Sequence, residues 1–462
     1  MTDQVGAILD EGPSDWQIVQ QDTRGLADIA LRGRWAGVPK GRVQVRLVFE
    51  DTGVAVTHSL DWQDAVTAPD GTWSATLKDI PAGGLYRLET RFNPDGNVAG
   101  EWSPRGDMRH FLGVGDLWVI AGQSNSAGYG RGPVYDPPEL GVHLFRNSME
   151  WALATQPMNE STNTKHPVNR EAANSGHAPY LHFGRLLKHA LNHPIGLVQT
   201  SLGGSPLCAW NPTEPGDAVL FKNMVHCVER AGGSVRGILW YQGCSDTCND
   251  ETAASYAQRF VNAVGAWRQA LRNPSLPVLT VQINRVYQPP DEGVNRRWSQ
   301  VRECQRQVPK KLEGIVVVPT LDLPLSDGIH ISPAGNMLLA ERLARAALGA
   351  VYGRPVDYLA PDIRSARRMA DGRTVELTFA PVTSRIDTID PSAHSFKVED
   401  DAGDLPIEKV VYTGSDRVRL VLARPIYGRG GVHGGFGHNP AIVPMDMERF
   451  VPILGFYRFP IE

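Results

Sequence analysis

The most constraining feature of this chain is a short apolar run, Leu117-Trp-Val-Ile-Ala121, halted by Gly122 and followed by Gln123-Ser124-Asn125. Such a run is long enough for a buried strand and too short for a helix. Gly122 lets the backbone turn sharply, so a serine at the strand's carboxyl end is presented rather than packed. Further along, helical segments such as Tyr256 to Leu271 alternate with strands such as Val278-Leu-Thr-Val-Gln-Ile and Ile315-Val-Val-Val. That alternation predicts a parallel α/β sheet.

Some two hundred residues after Ser124 the chain reads Ser326-Asp327-Gly-Ile-His330-Ile-Ser332-Pro333. A serine hydroxyl is a poor nucleophile until a base takes its proton, and a histidine held by a carboxylate is the usual base. Asp327 and His330 are three apart, so one turn of chain brings the carboxylate onto the imidazole. Ser332-Pro333 reads as an N-cap and a first helical position, with Leu339, Leu343 and Ala347 at helical spacing behind. His330 is therefore expected on a loop that faces a cleft. A strand-end serine alone is usually a turn residue, and Asp-x-x-His alone often caps a helix. Their conjunction with the alternating pattern predicts a serine hydrolase. Ser124 would be the nucleophile, His330 the base and Asp327 the group that orients it.

Attack on an ester carbonyl develops an oxyanion, which needs preorganised donors. The backbone amides of Ser124 and of Gly204, in Thr200-Ser-Leu-Gly203-Gly204, suit this, because a Gly-Gly pair lets main chain approach a substrate closely. For a third donor, Gln242 carries an amide NH2, whereas an ionised Asp246 only accepts and is expected to orient its neighbours.

These blocks resemble the SGNH (GDSL-like) hydrolases, and within them the sialate O-acetylesterase-like carbohydrate esterases. The resemblance runs from Gly115 to about Leu348. It rests on Gly122-Gln-Ser-Asn125, Thr200 to Trp210, Trp240-Tyr-Gln-Gly-Cys-Ser-Asp246 and Asp327-Gly-Ile-His330. It implies a flavodoxin-like three-layer α/β/α domain with its site at the carboxyl ends of parallel strands. It also implies an esterase that removes acetyl or another small acyl group from a carbohydrate, with no metal or organic cofactor. Gln123, Trp210, Asp246 and Tyr287 are expected to contact substrate; Tyr241 and Trp298 are further aromatics near the site-forming loops. Relatives commonly carry glutamate where this chain has Cys208 and Cys244. The two thiols could form a redox-sensitive pair or fill the space of paired acids, and the second reading is favoured.

Composition narrows the partners. A formal net charge of −4 and the lack of a long basic run argue against nucleic acid. No apolar segment of membrane-spanning length occurs. The N-terminus, Met1 to Pro13, lacks the basic and apolar regions of a signal peptide. A cytoplasmic location is expected, or a secreted or periplasmic one if a leader has been removed. The five cysteines are odd in number and confined to the middle of the chain, against a disulfide framework. Cys244-x-x-x-Cys248 lacks the second ligand pair that a zinc site needs.

At 462 residues the chain exceeds one hydrophobic core. Residues 1–112 and 355–462 read as short alternating strands separated by turn signals, hence β-sandwich-like modules flanking a catalytic region at 113–354. Arg42 to Phe49, Gly71 to Leu77 and Leu85 to Phe92 are strands of the first; Gly428 to Gly437 reads as a loop of the last. Rival enzymes fail on specifics: no Gly-x-Ser-x-Gly occurs, and no Lys-Ser/Thr follows Gly128. Gly113-Val-Gly115 precedes its strand, unlike a dinucleotide fingerprint. The alternative to an esterase is a catalytically weak carbohydrate-binding protein on a hydrolase scaffold.

Overall fold

The computed structural model describes residues 6–36, 41–97, 100, 102–172, 175–390 and 393–462. Met1 to Val5, the start of the expected first module, lie outside the described residues. Among the described residues, seven strands form the central path of an eleven-stranded sheet: β1 (Arg105–Gly122), β2 (Val142–Phe145), β3 (Trp151–Leu153), β4 (Ile195–Gln199), β5 (Gly237–Tyr241), β6 (Val278–Val281) and β7 (Ile315–Val318). Their spatial order is β3-β2-β4-β1-β5-β6-β7, with every pairing parallel except β3 on β2. The run β4-β1-β5-β6-β7 is the 2-1-3-4-5 order of doubly wound sheets. In that order the chain leaves β1 in opposite directions toward β4 and β5. A crevice therefore opens at the carboxyl end of β1.

Helices cover both faces. They are α1 (Ser124–Ala127), α2 (Tyr180–Leu191), α3 (Val219–Ala231), α4 (Asp250–Ala270), α5 (Glu292–Gln307) and α6 (Pro333–Ala350). Leu117, Val119 and Ala121 of β1 pack with residues of α3, α4 and α5, including Met224, Phe260 and Val301. Trp118 and Ile120 face the other way, toward Phe183 and Leu187 of α2 and Leu339 and Leu343 of α6. Burial on both faces is why this strand reads as continuous apolar sequence rather than as alternation. Three helices begin on side-chain caps: Asn249 accepts from Thr252 N–H, Asp291 from Val294 N–H and Ser332 from Gly335 N–H. Each such cap stabilises its helix by about 1 kcal/mol.

The amino-terminal strands form two layers around one core. One layer pairs Gly6–Glu11, Leu26–Ala36, Val66–Thr67 and Thr72–Pro81; the other pairs Gly41–Phe49 with Gly83–Pro94, and Gly83–Pro94 with β1. Leu31, Val45, Leu47, Trp73, Leu77, Leu88 and Phe92 lie between them. β1 thus belongs to two layers of the molecule. It pairs with Gly83–Pro94 over Arg105–Val114, then with β4 and β5 over Asp116–Gly122. The boundary expected at 112–113 falls inside this strand, and Gly113 and Gly115 are packing points rather than a linker. A Cβ on Gly115 would lie 1.9 Å from the Pro194 carbonyl oxygen, and one on Gly113 would lie 2.7 Å from Ile18.

Residues after Pro355 form two four-stranded antiparallel sheets and a small three-stranded one around Val375, Leu377, Phe379, Val418, Leu420 and Phe456. The stretch expected as a loop, Gly428 to Gly437, contains a strand instead. Gly430–Gly434 pairs with both Lys397–Asp400 and Phe456–Ile461. Its glycines admit a close neighbour: a Cβ at Gly434 would lie 2.2 Å from the Phe456 ring. Among the described residues, no helix is long and apolar enough to cross a membrane.

Candidate active site

The crevice is built from strand ends. β1 stops because Gly122 adopts φ +126°, and a Cβ there would lie 2.2 Å from the Tyr241 carbonyl oxygen on β5. The chain then turns into α1, with Ser124 as its first residue and Gly128 closing it in the left-handed region. Ser126 Oγ fixes the turn by donating to Ala121 O at 2.9 Å. Ser124 is largely buried, at 8% exposure.

His330 arrives from the far end of the sheet, on the loop between β7 and α6. Asp327 organises that loop by accepting from the N–H of Ile329 at 2.8 Å and of His330 at 2.7 Å, and its Oδ2 lies 2.7 Å from His330 Nδ1. Partial burial pushes the Asp327 carboxyl up, but those two N–H groups and the His330 ring outweigh it and hold the group below its ordinary value. Asn125, the residue after Ser124, grips the same loop on both sides of His330. Its Nδ2 donates to Ile329 O at 3.2 Å and its Oδ1 accepts from Ile331 N–H at 2.9 Å. Asn284, just beyond β6, adds a second donor to Ile329 O at 2.7 Å. The serine turn and the histidine loop are thereby one hydrogen-bonded unit.

The third wall follows β4. Gly204 has φ +69°, and a Cβ there would meet nothing within 4 Å, so its role is conformational and it borders open space. Gly203 is different: a Cβ would lie 2.8 Å from Glu171 Oε2. Glu171 accepts from Gly203 N–H at 2.9 Å, from Asn159 Nδ2 at 2.6 Å and from Tyr129 OH at 2.7 Å. The Tyr129 ring lies against the His330 ring, with centroids 4.9 Å apart. Among the described residues, the N–H groups of Ser124 and Gly204 have no hydrogen-bond acceptor. Two free backbone donors therefore stand at the carboxyl ends of adjacent strands.

A model of the carbohydrate esterase family described as sialic acid-specific acetylesterase matches residues 114–349, half of the chain. The chain belongs to this family. A probable carbohydrate esterase of Arabidopsis thaliana is 30% identical over 256 residues, covering 50% of this chain and 90% of that protein. Human sialate O-acetylesterase is 24% identical over 351 residues, covering 63% of this chain and 62% of its own. The crystal structure of a carbohydrate acetylesterase from Xanthomonas citri superposes with a TM-score of 0.66 at 23% identity, covering 96% of this chain and 97% of that one. The overall fold is shared.

Within this carbohydrate esterase, several residues expected in the cleft lie beneath it. Gln242 is fully buried; its Nε2 donates to Ser205 O at 3.2 Å and to Asp246 Oδ2 at 2.6 Å, and its Oε1 accepts from Tyr256 OH at 2.9 Å. Both amide hydrogens are engaged, and the acceptor-only Asp246 fixes which way the amide points. The expected oxyanion role of Gln242 is therefore corrected: it is a buried strut. Asp246 is 1% exposed and is no substrate contact. It accepts from Leu207 N–H at 2.9 Å and Arg259 Nη1 at 2.7 Å, tying the loop after Gly204 to α4. Trp210, Tyr241 and Trp298 are buried as well; Trp210 packs edge-on against Trp240 and donates to Ser205 Oγ. Only Tyr287, of the four aromatics, is presented to solvent, at 77% exposure.

Gln123 is buried too, but its oxygen is what holds it. Oε1 accepts from the N–H groups of Gly243 at 3.1 Å and Ser245 at 3.2 Å, and Ser245 Oγ donates to Gly204 O at 3.1 Å. The Gln123 amide is thus anchored to the loop that borders Gly204. Among the described residues its Nε2 has no acceptor.

All five cysteines are free thiols. Burial pushes Cys244 up to about 12, so it stays protonated and inert. Near it lies Arg302, fully buried, with no carboxylate acting on it among the described residues. It donates to four carbonyls: Ile283 O at 3.0 Å, Asn284 O at 2.5 Å, Gly435 O at 3.2 Å and Gly437 O at 2.5 Å. Burial lowers it to about 9, which leaves it a cation at neutral pH. Asn125, Tyr129, Glu171, Asn284 and Arg302 escaped the sequence reading. Only Asn125 carried a signal, its place beside Ser124 in Gly-Gln-Ser-Asn.

Proposed function

We propose that this esterase removes an acetyl group from an O-acetylated carbohydrate through a Ser124-His330-Asp327 triad. Asn125 carries the reading: one side chain fastened to the serine turn holds both neighbours of His330. A lone Asp-x-x-His loop would need no such tie. In this mechanism Ser124 Oγ attacks the acetyl carbonyl while His330 Nε2 takes its proton, and Asp327 holds the Nδ1–H tautomer. The developing oxyanion accepts from the N–H groups of Ser124 and Gly204, both free of other acceptors. Gln123 Nε2, in place of Gln242, supplies the third donor. His330 then gives the proton to the departing sugar oxygen, which leaves as a hydroxyl; water, deprotonated by His330, attacks the acetyl-Ser124, and the proton returns to Ser124 Oγ as acetate departs. The catalytic region, 113–354, is flanked in this reading by β-sandwich-like modules at 1–112 and 355–462.

The test is acetate release from a panel of acetylated sugars by the wild type and by Ser124→Ala. The variant should lose several orders of magnitude in kcat with unchanged circular dichroism, since covalent catalysis depends on one oxygen. A folded Ser124→Ala protein that keeps most of its activity would end the serine-esterase reading.

A further inference from the structure

His330 meets a carboxylate at its edge and an aromatic ring at one face. Asp327 holds Nδ1, while the Tyr129 ring lies against the imidazole with centroids 4.9 Å and planes 30° apart. That separation is within the range of favourable ring pairs. The backbone around Tyr129 is fastened on both sides. Gly176 N–H donates to Gly128 O at 2.5 Å, and Gly130 and His177 exchange N–H to O bonds of 3.2 and 2.9 Å. Glu171, on the same connection between β3 and α2, takes the phenol: Tyr129 OH donates to its Oε2 at 2.7 Å. Burial, and after it this hydrogen bond, hold the phenol above its ordinary value, so it remains the donor.

Glu171 is the unpaired charge of this arrangement. It is half-buried, and among the described residues no Lys, Arg or His forms an ion pair with it. Its other oxygen accepts from Gly203 N–H at 2.9 Å and from Asn159 Nδ2 at 2.6 Å. The loop that carries Gly204 and the tyrosine on His330 therefore hang on one side chain. Gly203 makes room for it, since a Cβ there would lie 2.8 Å from Glu171 Oε2 and 3.1 Å from Tyr129 OH. A carboxylate drawn partly out of water is costly without a cation to meet it. His330 becomes a cation each time it takes a proton. The imidazolium then faces the π surface of a phenol that is hydrogen-bonded to an anion, and both attract it.

We propose that Tyr129 and Glu171 are positioning residues that hold one face of His330 and stabilise its imidazolium during catalysis. This rests on the esterase reading above and adds an anionic arm that the Ser124-His330-Asp327 triad does not contain. The groups that act on the imidazole are then Asp327 on its own loop and Tyr129 with Glu171 behind it. Arg131 acts on Tyr129 in the sense opposite to Glu171. Because the imidazolium develops in the transition state, the arm acts on kcat more than on KM. It also favours the protonated base in the free enzyme, so weakening it moves the acid limb of kcat/KM to lower pH.

Three variants separate the parts. Tyr129→Leu removes the face; Tyr129→Phe keeps the face and removes the link; Glu171→Gln keeps an acceptor for Gly203 and Asn159 and removes the charge. On one acetyl ester, Tyr129→Leu should lower kcat about tenfold or more, and the other two about three- to tenfold, with KM nearly constant. All three should move the acid limb of kcat/KM to lower pH by about 0.3 unit or more. A merely structural role lowers kcat and leaves the acid limb in place; that result in folded Tyr129→Phe and Glu171→Gln proteins overturns the proposal. A folded Tyr129→Leu protein with wild-type kcat overturns it as well. If Tyr129→Leu does not fold, the two conservative variants decide alone. Wild-type turnover that Ser124→Ala abolishes keeps the esterase standing in every one of these cases. Absence of turnover on every acetyl ester would remove the esterase reading, and the arm with it.

Discussion

Gln123 and Gln242 carry the same side chain on adjoining backbone, Gln123 N–H donating to Tyr241 O, and hydrogen bonding separates their roles in the proposed mechanism. Gln242 has both amide hydrogens engaged by Ser205 O and Asp246, whereas Gln123 uses only its oxygen. Gln123→Glu keeps an acceptor for Gly243 and Ser245, deletes the N–H and sets a carboxylate oxygen in its place, so the proposed oxyanion loses a donor and meets a like charge. Loss of one oxyanion donor typically costs about 10²–10³ in kcat. Gln123→Glu should show a fall of at least that size on one acetyl ester. A kcat within threefold of wild type would remove Gln123 from the oxyanion site. Gln242→Ala should act on stability instead: it takes a donor from Ser205 O and from Asp246 in a buried setting, while Tyr256 OH keeps the backbone carbonyl of 242, and an unsatisfied buried group costs roughly 1–3 kcal/mol. Urea unfolding read beside kcat distinguishes the two effects.

Among the elements, those with strong local rules were legible from the residues. The apolar run of β1, the Ser332-Pro333 start of α6 and the alternation between them carry their own periodicity and capping chemistry. Asp327 and His330 were legible because their pairing is local. What escaped depends on contacts distant in the chain. Gln242, Trp210 and Trp298 have the composition of cleft residues, and only the packing of α4 and α5 against β5 places them beneath the floor. The strand at Gly430–Gly434 was hidden because glycine carries no periodicity; its partners Lys397–Asp400 and Phe456–Ile461 define it. Arg302 of α5 had no sequence signal at all, yet it holds four carbonyls from two segments. Arg302→Met keeps the bulk of the stem and removes every donor. Hydrogen bonds from a charged group contribute about 1.5–3 kcal/mol each, so the loss should be several kcal/mol. Chemical denaturation measures it, and a change below about 1 kcal/mol would mean that the bridge is energetically idle.

Taken as a whole, the molecule carries a built-in acid sensitivity where the amino-terminal strands meet the central sheet. His143 on β2 lies with Nδ1 2.7 Å from Trp16 O, and its Nε2 accepts from Gly141 N–H at 3.3 Å. Burial lowers His143 from 6.5 to about 4; the bond to Trp16 O opposes the shift and the Lys188 ammonium adds to it. The unfolded chain binds that proton near the ordinary value, so its contribution is complete above about pH 6.5 and is lost as pH falls toward 4. His433, lowered by burial to about 3, adds a second term of the same sign. Unfolding free energy should fall between pH 6.5 and 4, by up to about 1.4 kcal/mol per pH unit from His143. His143→Gln should flatten the profile by that amount; an unchanged slope would show that the ring is not held neutral. The long strand β1 has a consequence of another kind, in the lengths that heredity can tolerate. One half is zipped to Gly83–Pro94 and the other lies between β4 and β5, with Ser124 two residues past its end. The half on Gly83–Pro94 already shifts register three times, as bulges allow, whereas the half between β4 and β5 is paired on both edges without a shift. Because side chains alternate with a period of two and the ladders to β4 and β5 run without a bulge, one residue gained or lost within 116–122 would turn that half inside out or carry Ser124 off its position. Its glycines at 113, 115 and 122 admit no larger side chain, and the length of its second half is held by both neighbours at once.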